Sequence, residues 1–238
     1  MRIWGHRGTR SFGDRADTPP ENTLAAIRYA LQAGAHGVEI DVRLCKSGEV
    51  VVLHDVDLMR VAGAPLRAHD ATLTELQAHD LGQGERVPTL EDAIDLVIGG
   101  GYHLNVEIKA DVPDEAALVD AVGKCVRARS SAEQTLFVIS SFSPSICRAS
   151  QRELPGVPIA FLYEHASDAS KRPAGMEVVH PHHALLDAGV IAELHGRALT
   201  VNAWTVNDPV RAVELARAGV DGLITDDVKA IVAALSAA

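Results

Sequence analysis

Apolar, β-branched runs alternate with helix-like segments along this whole chain, and few folds accommodate that order. Strand patterns fall at 2–6, 37–44, 50–54, 103–109, 135–140, 158–163, 177–180, 198–204 and 220–225. Helical patterns lie between them, at 22–33, 72–79, 89–98, 114–128, 143–152, 186–195, 208–217 and 227–235. Such alternation predicts a parallel sheet with helical crossovers. At 238 residues a single (β/α)8 TIM barrel spanning residues 1–238 fits the length. Aromatic residues make up only 4% of a chain that is 47% apolar, so the core must be aliphatic, as suits strands buried on both faces.

Local signals mark several helix ends. Asn22 follows Pro19-Pro20 and opens the first helical pattern, which Gly34 closes. Thr89 and Asp92 make a capping box. Asp208-Pro209 puts proline at a first helical position, with Gly219 just past that helix.

Nine strand patterns are one too many for the barrel. The surplus lies around Ser47-Gly48, a link too short for parallel neighbours, so 37–44 and 50–54 should form a hairpin. A two-residue loop would pair 46 with 49 and 41 with 54, setting His54 opposite Asp41 on one face. A change of one residue in that loop would turn His54 away. Residues 55–88 read as a long excursion with one short helix, either a cap over the barrel mouth or a surface loop.

Chemically capable residues gather at the strand ends. Glu39 and Asp41 share one strand face, about 7 Å apart along it, with Val38, Ile40 and Val42 on the other. An isolated Glu-x-Asp most simply shows its acids to water. Inside a barrel both faces are covered, and two uncompensated carboxylates would be costly. A hard divalent cation (Mg²⁺, Ca²⁺ or Mn²⁺) is the simplest compensation. Asn105, Glu107 and Lys109 repeat the arrangement. Read alone, Glu107 and Lys109 could be a structural ion pair. Beside the first acids, Glu107 becomes a third ligand and Lys109 a charge for a phosphate.

His6 ends the first strand pattern and His54 the hairpin. Either could be a plain structural histidine. Arg7 and Gly8 shift the balance at His6 by adding a guanidinium and a close backbone approach, although acids of the following loop could occupy Arg7 instead. Two histidines flanking a phosphate would supply one acid and one base. Trp204, at another strand end, is either core or pocket wall. His180, His182 and His183 end a strand and could reach the site. The chain has no phosphate-binding Gly-x-x-x-x-Gly-Lys loop, no Gly-x-Ser-x-Gly and no His-Glu-x-x-His.

The formal net charge of −10 disfavours a nucleic-acid partner. Three cysteines without metal-like spacing suggest reduced thiols. No signal pattern opens the chain, and no apolar run approaches the ~20 residues of a membrane span. The expectation is a cytoplasmic protein with a small-molecule substrate and no stable membrane anchor. The oligomeric state stays open.

Taken together, these residues resemble the glycerophosphodiester phosphodiesterase family, within the wider group of phospholipase C-like phosphodiesterases. The resemblance rests on His6-Arg7-Gly8, Pro20-Glu21-Asn22-Thr23, Glu39-Ile40-Asp41-Val42, the run from Gly48 to His54-Asp55, and Val87-Pro88-Thr89-Leu90-Glu91. It continues through Val106-Glu107-Ile108-Lys109, Ser141-Phe142, Trp204-Thr205-Val206-Asn207 and the run from Gly219 to Thr225-Asp226. It implies a (β/α)8 barrel with its site at the carboxyl ends of the strands. It implies a divalent cation held by Glu39, Asp41 and Glu107, His6 and His54 as the acid–base pair, and Arg7 and Lys109 on the phosphate. Phe142 and Trp204 would be pocket wall. The implied reaction releases an alcohol and sn-glycerol 3-phosphate from a glycerophosphodiester, with the substrate's own 2-hydroxyl attacking first. The loop at 9–18 is longer than the family's usual one and bears on substrate access. A phospholipase D-like enzyme acting on lysophospholipids or sphingolipids, and a non-catalytic barrel binding metal or phosphodiester, are the competing expectations.

Overall fold

The computed structural model describes residues 1–10 and 18–238. Phe12, Asp14, Arg15 and Asp17, which the sequence places in the long first loop, lie outside the described residues. The strands are β1 Arg2–His6, β2 Gly37–Leu44, β3 Val50–Val52, β4 Asp57–Leu58, β5 Ala64–Arg67, β6 His103–Ile108, β7 Phe137–Ser141, β8 Ile159–Tyr163, β9 Val178–Pro181, β10 Thr200–Ala203 and β11 Gly222–Thr225. The helices are α1 Leu24–Gln32, α2 Met59–Ala62, α3 Leu73–Gln77, α4 Leu90–Val97, α5 Glu115–Arg127, α6 Ser131–Gln134, α7 Pro144–Glu153, α8 Ala188–Gly196, α9 Pro209–Arg217 and α10 Val228–Ser236.

Parallel pairing runs β2-β6-β7-β8-β9-β10-β11-β1 and returns from β1 to β2, closing a barrel of eight parallel strands. The fold is therefore the (β/α)8 barrel expected. Val38, Ile40, Val42, Val106 and Ile108 join the apolar layer between strands and helices. Glu39, Asp41, Asn105 and Glu107 alternate with them and are buried on the other face. The register sets His6 beside Glu39, Glu39 beside Asn105, and Asp41 beside Glu107. Strand-to-strand alignment thus gathers the charged side chains at one barrel end.

The hairpin forms, but its register differs from the expected one. Val42 pairs with Val52 and Leu44 with Val50, so the loop holds three residues rather than two. Cys45 N–H donates to Glu49 O at 3.0 Å, and Gly48 takes a positive φ of 97° that a three-residue turn favours. His54 therefore does not face Asp41 across a ladder; Leu53 N–H donates to Asp41 O at 2.9 Å instead. A second correction concerns α1. Thr23, not Asn22, caps it by accepting from Ala26 N–H, and Asn22 has a positive φ of 57°.

The excursion after His54 is more structured than one short helix. It carries the β4–β5 hairpin, α2 and α3. Its residues Leu58, Ala68, Leu76 and Leu81 pack with Val51 and Leu53 of the hairpin as a separate apolar cluster. The return segment is tied to β3 by Val52 N–H donating to Pro88 O at 2.9 Å. That cluster fixes the start of the excursion against the barrel.

Candidate active site

One cavity at the carboxyl end of the barrel is lined by His6, Arg7, Glu39, His54, Glu107, Lys109, Phe142 and Trp204. Asp41 sits buried beside it, bonded to Lys109 and Asn22. All nine residues singled out in the sequence therefore converge.

Glu39, Asp41 and Glu107 are buried and offer carboxylate oxygens within 4.8 Å of one another. Three facts make this set fit a hard divalent cation. The donors are all oxygens. Glu39 Oε1 is buried with no hydrogen-bond partner. Burial, then the charge of Asp41, holds the Glu39 carboxyl well above its usual range, and burial does the same to Glu107. Burial also opposes charge on Asp41, but Lys109 and Arg7 overcome it and hold Asp41 ionised.

Lys109 Nζ donates to Glu107 Oε1 at 2.9 Å and to Asp41 Oδ1 at 3.3 Å. Arg7 donates from Nη1 to Glu21 Oε1 at 2.8 Å, and its Nε lies 3.3 Å from Asp41 Oδ2. Both cations thus lean on acids while facing the cavity. Arg7 has a positive φ of 54°, an arrangement that costs an L-residue roughly 1–2 kcal/mol. It aims the Arg7 N–H at Glu39 Oε2, 2.9 Å away. Gly8 follows with φ 77°, and a Cβ there would lie 2.6 Å from the backbone of Ala26, so the turn can approach α1 only as glycine.

The two histidines are built alike. His6 Nδ1 lies 2.6 Å from Asp226 Oδ1, and Asn207 Nδ2 donates to Asp226 Oδ2 at 2.7 Å. His54 Nδ1 lies 2.7 Å from Asp55 Oδ1. A carboxylate only accepts, so Nδ1 of each ring carries a proton, and in the neutral ring Nε2 keeps its lone pair. His54 reaches the cavity despite the register because β3 stops at Val52 and strand parity no longer applies. The buried Arg43 then holds the His54 carbonyl, donating from Nε at 3.0 Å and Nη2 at 2.6 Å.

Asp226, Asp55, Asn22, Glu21 and Arg43 are partners to which the sequence assigned no part in the site. Asp226 was detectable, since it directly follows the last strand, whose neighbour ends in His6. Asn22 lies in a matching motif, yet its contact is specific: Nδ2 donates to Asp41 Oδ2 at 2.9 Å. Nothing local marks Arg43, beyond sharing a face with Glu39 and Asp41.

Trp204 and Phe142 stand edge to face at 5.3 Å on the cavity wall. Trp204 is anchored by its Nε1–H donating to His180 O at 2.7 Å. His180 itself is buried in the barrel beside Asn202 Nδ2, 3.0 Å away, and burial pushes it down to about 3, so it is neutral. His182 packs against the Trp204 edge at 5.3 Å and against His183 at 4.6 Å.

A barrel whose strand-end cavity joins two histidines, two cations and an acidic cluster has the make-up of a hydrolase of phosphoric esters. The chain belongs to the glycerophosphoryl diester phosphodiesterase family, whose pattern matches residues 6–230. A glycerophosphodiester phosphodiesterase of Caldanaerobacter subterraneus is 30% identical over 223 residues, covering 90% of this chain and 91% of that protein. A glycerophosphodiester phosphodiesterase structure from Thermotoga maritima superposes with a TM-score of 0.76 at 29% identity, over 98% of this chain and 97% of the other. An Oleispira antarctica phosphodiesterase, in complex with its product sn-glycerol-3-phosphate, superposes with a TM-score of 0.86 at 25% identity, over 99% and 97%. The protein is accordingly an enzyme, a phosphoric diester hydrolase.

Proposed function

We propose that this enzyme hydrolyses small glycerophosphodiesters to an alcohol and sn-glycerol 3-phosphate, with His6 and His54 as its acid–base pair. The observation that carries this reading is the pair itself: two imidazoles, each locked at Nδ1 by a carboxylate, on one cavity with Arg7 and Lys109. The bound product of the Oleispira antarctica relative supports the choice of substrate.

His54 takes the proton from the substrate's 2-hydroxyl. That oxygen attacks phosphorus, and His6 protonates the departing alcohol. Water then opens the cyclic phosphate with the two roles reversed. An internal nucleophile is favoured entropically, so the protein need only deprotonate and position it. Arg7 and Lys109 stabilise the negative charge that grows on the phosphoryl oxygens. Glu39, Asp41 and Glu107 would hold a divalent cation (Mg²⁺, Ca²⁺ or Mn²⁺), which would supply further positive charge against the growing negative charge. Phe142 and Trp204 form the apolar wall against the substrate's carbon skeleton.

Residence in the cytoplasm belongs to the same proposal. Three free thiols suit a reducing compartment, and among the described residues no helix is long and apolar enough to cross a membrane.

The deciding assay offers the purified protein glycerophosphocholine, glycerophosphoethanolamine, glycerophosphoinositol and lysophospholipids, with and without a chelator. Release of sn-glycerol 3-phosphate, abolished by the chelator and restored by Mg²⁺, Ca²⁺ or Mn²⁺, is the expected outcome. Turnover confined to lysophospholipids would overturn the substrate assignment, and full activity in metal-free protein would overturn the metal.

A further inference from the structure

Arg60 has no role in the chemistry described so far, yet it joins the carboxylate that holds His54 to the one that holds Arg7. It lies on α2, in the excursion that follows His54. Its Nε donates to Asp55 Oδ2 at 2.6 Å, while the other oxygen of that carboxylate holds His54 Nδ1 at 2.7 Å. Its Nη2 donates to Glu21 Oε1 at 2.6 Å, the same oxygen that Arg7 reaches from Nη1 at 2.8 Å. Glu21 Oε2 is taken by Arg10 Nε at 3.0 Å. An unbroken chain of charge-assisted contacts therefore runs His54–Asp55–Arg60–Glu21–Arg7.

We infer that Arg60 is a positioning residue for the reaction, fixing the His54 tautomer through Asp55 and keeping Arg7 available to the phosphate through Glu21. The inference rests on the acid–base reading given above. Two arguments support it. Asp55 could rotate and offer either oxygen to His54; a guanidinium on Oδ2 fixes Oδ1 under the ring. Glu21 would otherwise place its full charge on Arg7 and compete with a substrate phosphate for it. Sharing Glu21 with Arg60 and Arg10 weakens that competition. The guanidinium meets the two carboxylates with separate nitrogens of one rigid plane, Nε on Asp55 and Nη2 on Glu21, a spread that the single nitrogen of a lysine does not reproduce.

The plain alternative is a surface ion pair, since the Arg60 side chain is 44% exposed. That exposure makes the test clean, because substitution should leave the fold intact. Arg60→Ala should keep the native melting temperature within a few degrees and lower kcat/KM about 10- to 100-fold, mostly through kcat. Arg60→Lys should recover only part of the loss. Free guanidinium should restore Arg60→Ala but not Asp55→Asn. Because part of its effect runs through Asp55, the double variant should lose clearly less than the sum of the Arg60→Ala and Asp55→Asn losses. Nitrogen-15 NMR should show His54 as the Nδ1–H tautomer in the native enzyme and as a tautomer mixture in Arg60→Ala. Native kinetics in Arg60→Ala, additive losses in the double variant, or an unchanged tautomer would each overturn the inference. Should the native enzyme fail to cleave any glycerophosphodiester, the functional reading falls, and the tautomer measurement still decides the role of Arg60.

Discussion

His6 and His54 carry the same local device and respond to it in opposite directions. Each ring is held at Nδ1 by a carboxylate, at 2.6 Å for His6 and 2.7 Å for His54. Burial favours the neutral form of both and is the largest influence on each. At His6 the hydrogen bond to Asp226 and the charges of Glu39 and Asp226 outweigh it, and the pKa rises. At His54 burial wins: Lys109 and Arg7 offset Asp41 and Asp55, and the pKa falls. What differs is the far side of each ring. His6 Nε2 looks toward Glu39, 3.9 Å away, while His54 feels the positive charges of Lys109 and Arg7. Pairs of titratable groups pushed apart in this way divide into acid and base. The supports differ as well. The His6 side chain is 13% exposed and rests on Asp226 just past β11, whereas that of His54 is 31% exposed and rests on Asp55 at the start of the excursion.

The largest effect should come from removing either ring. His6→Ala and His54→Ala should each lower kcat/KM ~10²-fold or more, since a positioned proton transfer contributes on that scale. The double variant should lose much less than the product of the two, because the rings act as a unit. Their assignment separates when the leaving group changes. A glycerophosphodiester with a p-nitrophenolate leaving group needs no protonation, so His6→Ala should regain most of its rate on it and His54→Ala should not. Rescue of His54→Ala instead would exchange the two roles, and near-native turnover of His54→Ala on ordinary substrates would end the mechanism.

Lys109 tests what separates the two environments. If it contacts the phosphate, Lys109→Met should raise the barrier in kcat/KM by about 1.5–3 kcal/mol, the scale of a charged hydrogen bond. The same substitution removes one of the cations that hold His54 down, so His54 should titrate higher than in the native enzyme. Unchanged kinetics, with weaker metal binding alone, would reduce Lys109 to a counter-ion for Glu107 and Asp41, the acids it touches at 2.9 and 3.3 Å.

The sequence carried the site's chemistry further than its supports. Glu39, Asp41, Glu107 and Lys109 were legible because strand parity is strict: alternate residues share a face, and burial on both faces makes carboxylates conspicuous. His6 was legible because a barrel's strand ends are its working surface. At the hairpin the loop holds one residue more than expected, and His54 still reaches the cavity because the strand has already stopped and parity no longer binds it. Asp226 stands 220 residues from the histidine it holds, and only barrel closure brings them together. Asn22 read as a helix cap because asparagine is a common one; the structure spends its amide on Asp41 and leaves the cap to Thr23. The excursion hid its β4–β5 hairpin because those strands are short and only partly buried, which leaves no periodic signal.

The smallest effect is thermodynamic and has opposite signs at the two rings in the metal-free protein. His6 is raised above 6.5 in the fold, so its stabilising contribution is complete below the unfolded value near 6.5 and is lost as pH rises through its folded pKa. His54 is lowered, so its contribution is complete above that value and is lost as pH falls through its folded pKa. His6→Ala should therefore cost more stability at pH 5.5 than at pH 8, and His54→Ala more at pH 8 than at pH 5.5, read by denaturant melts of each variant against the native protein. Asp226→Asn should remove the asymmetry by dropping His6, while Asp55→Asn should deepen it by dropping His54 further. Proton NMR titration of the two rings supplies the direct check. If both titrate on the same side of 6.5, the division into acid and base must come from substrate and cation rather than from the barrel itself.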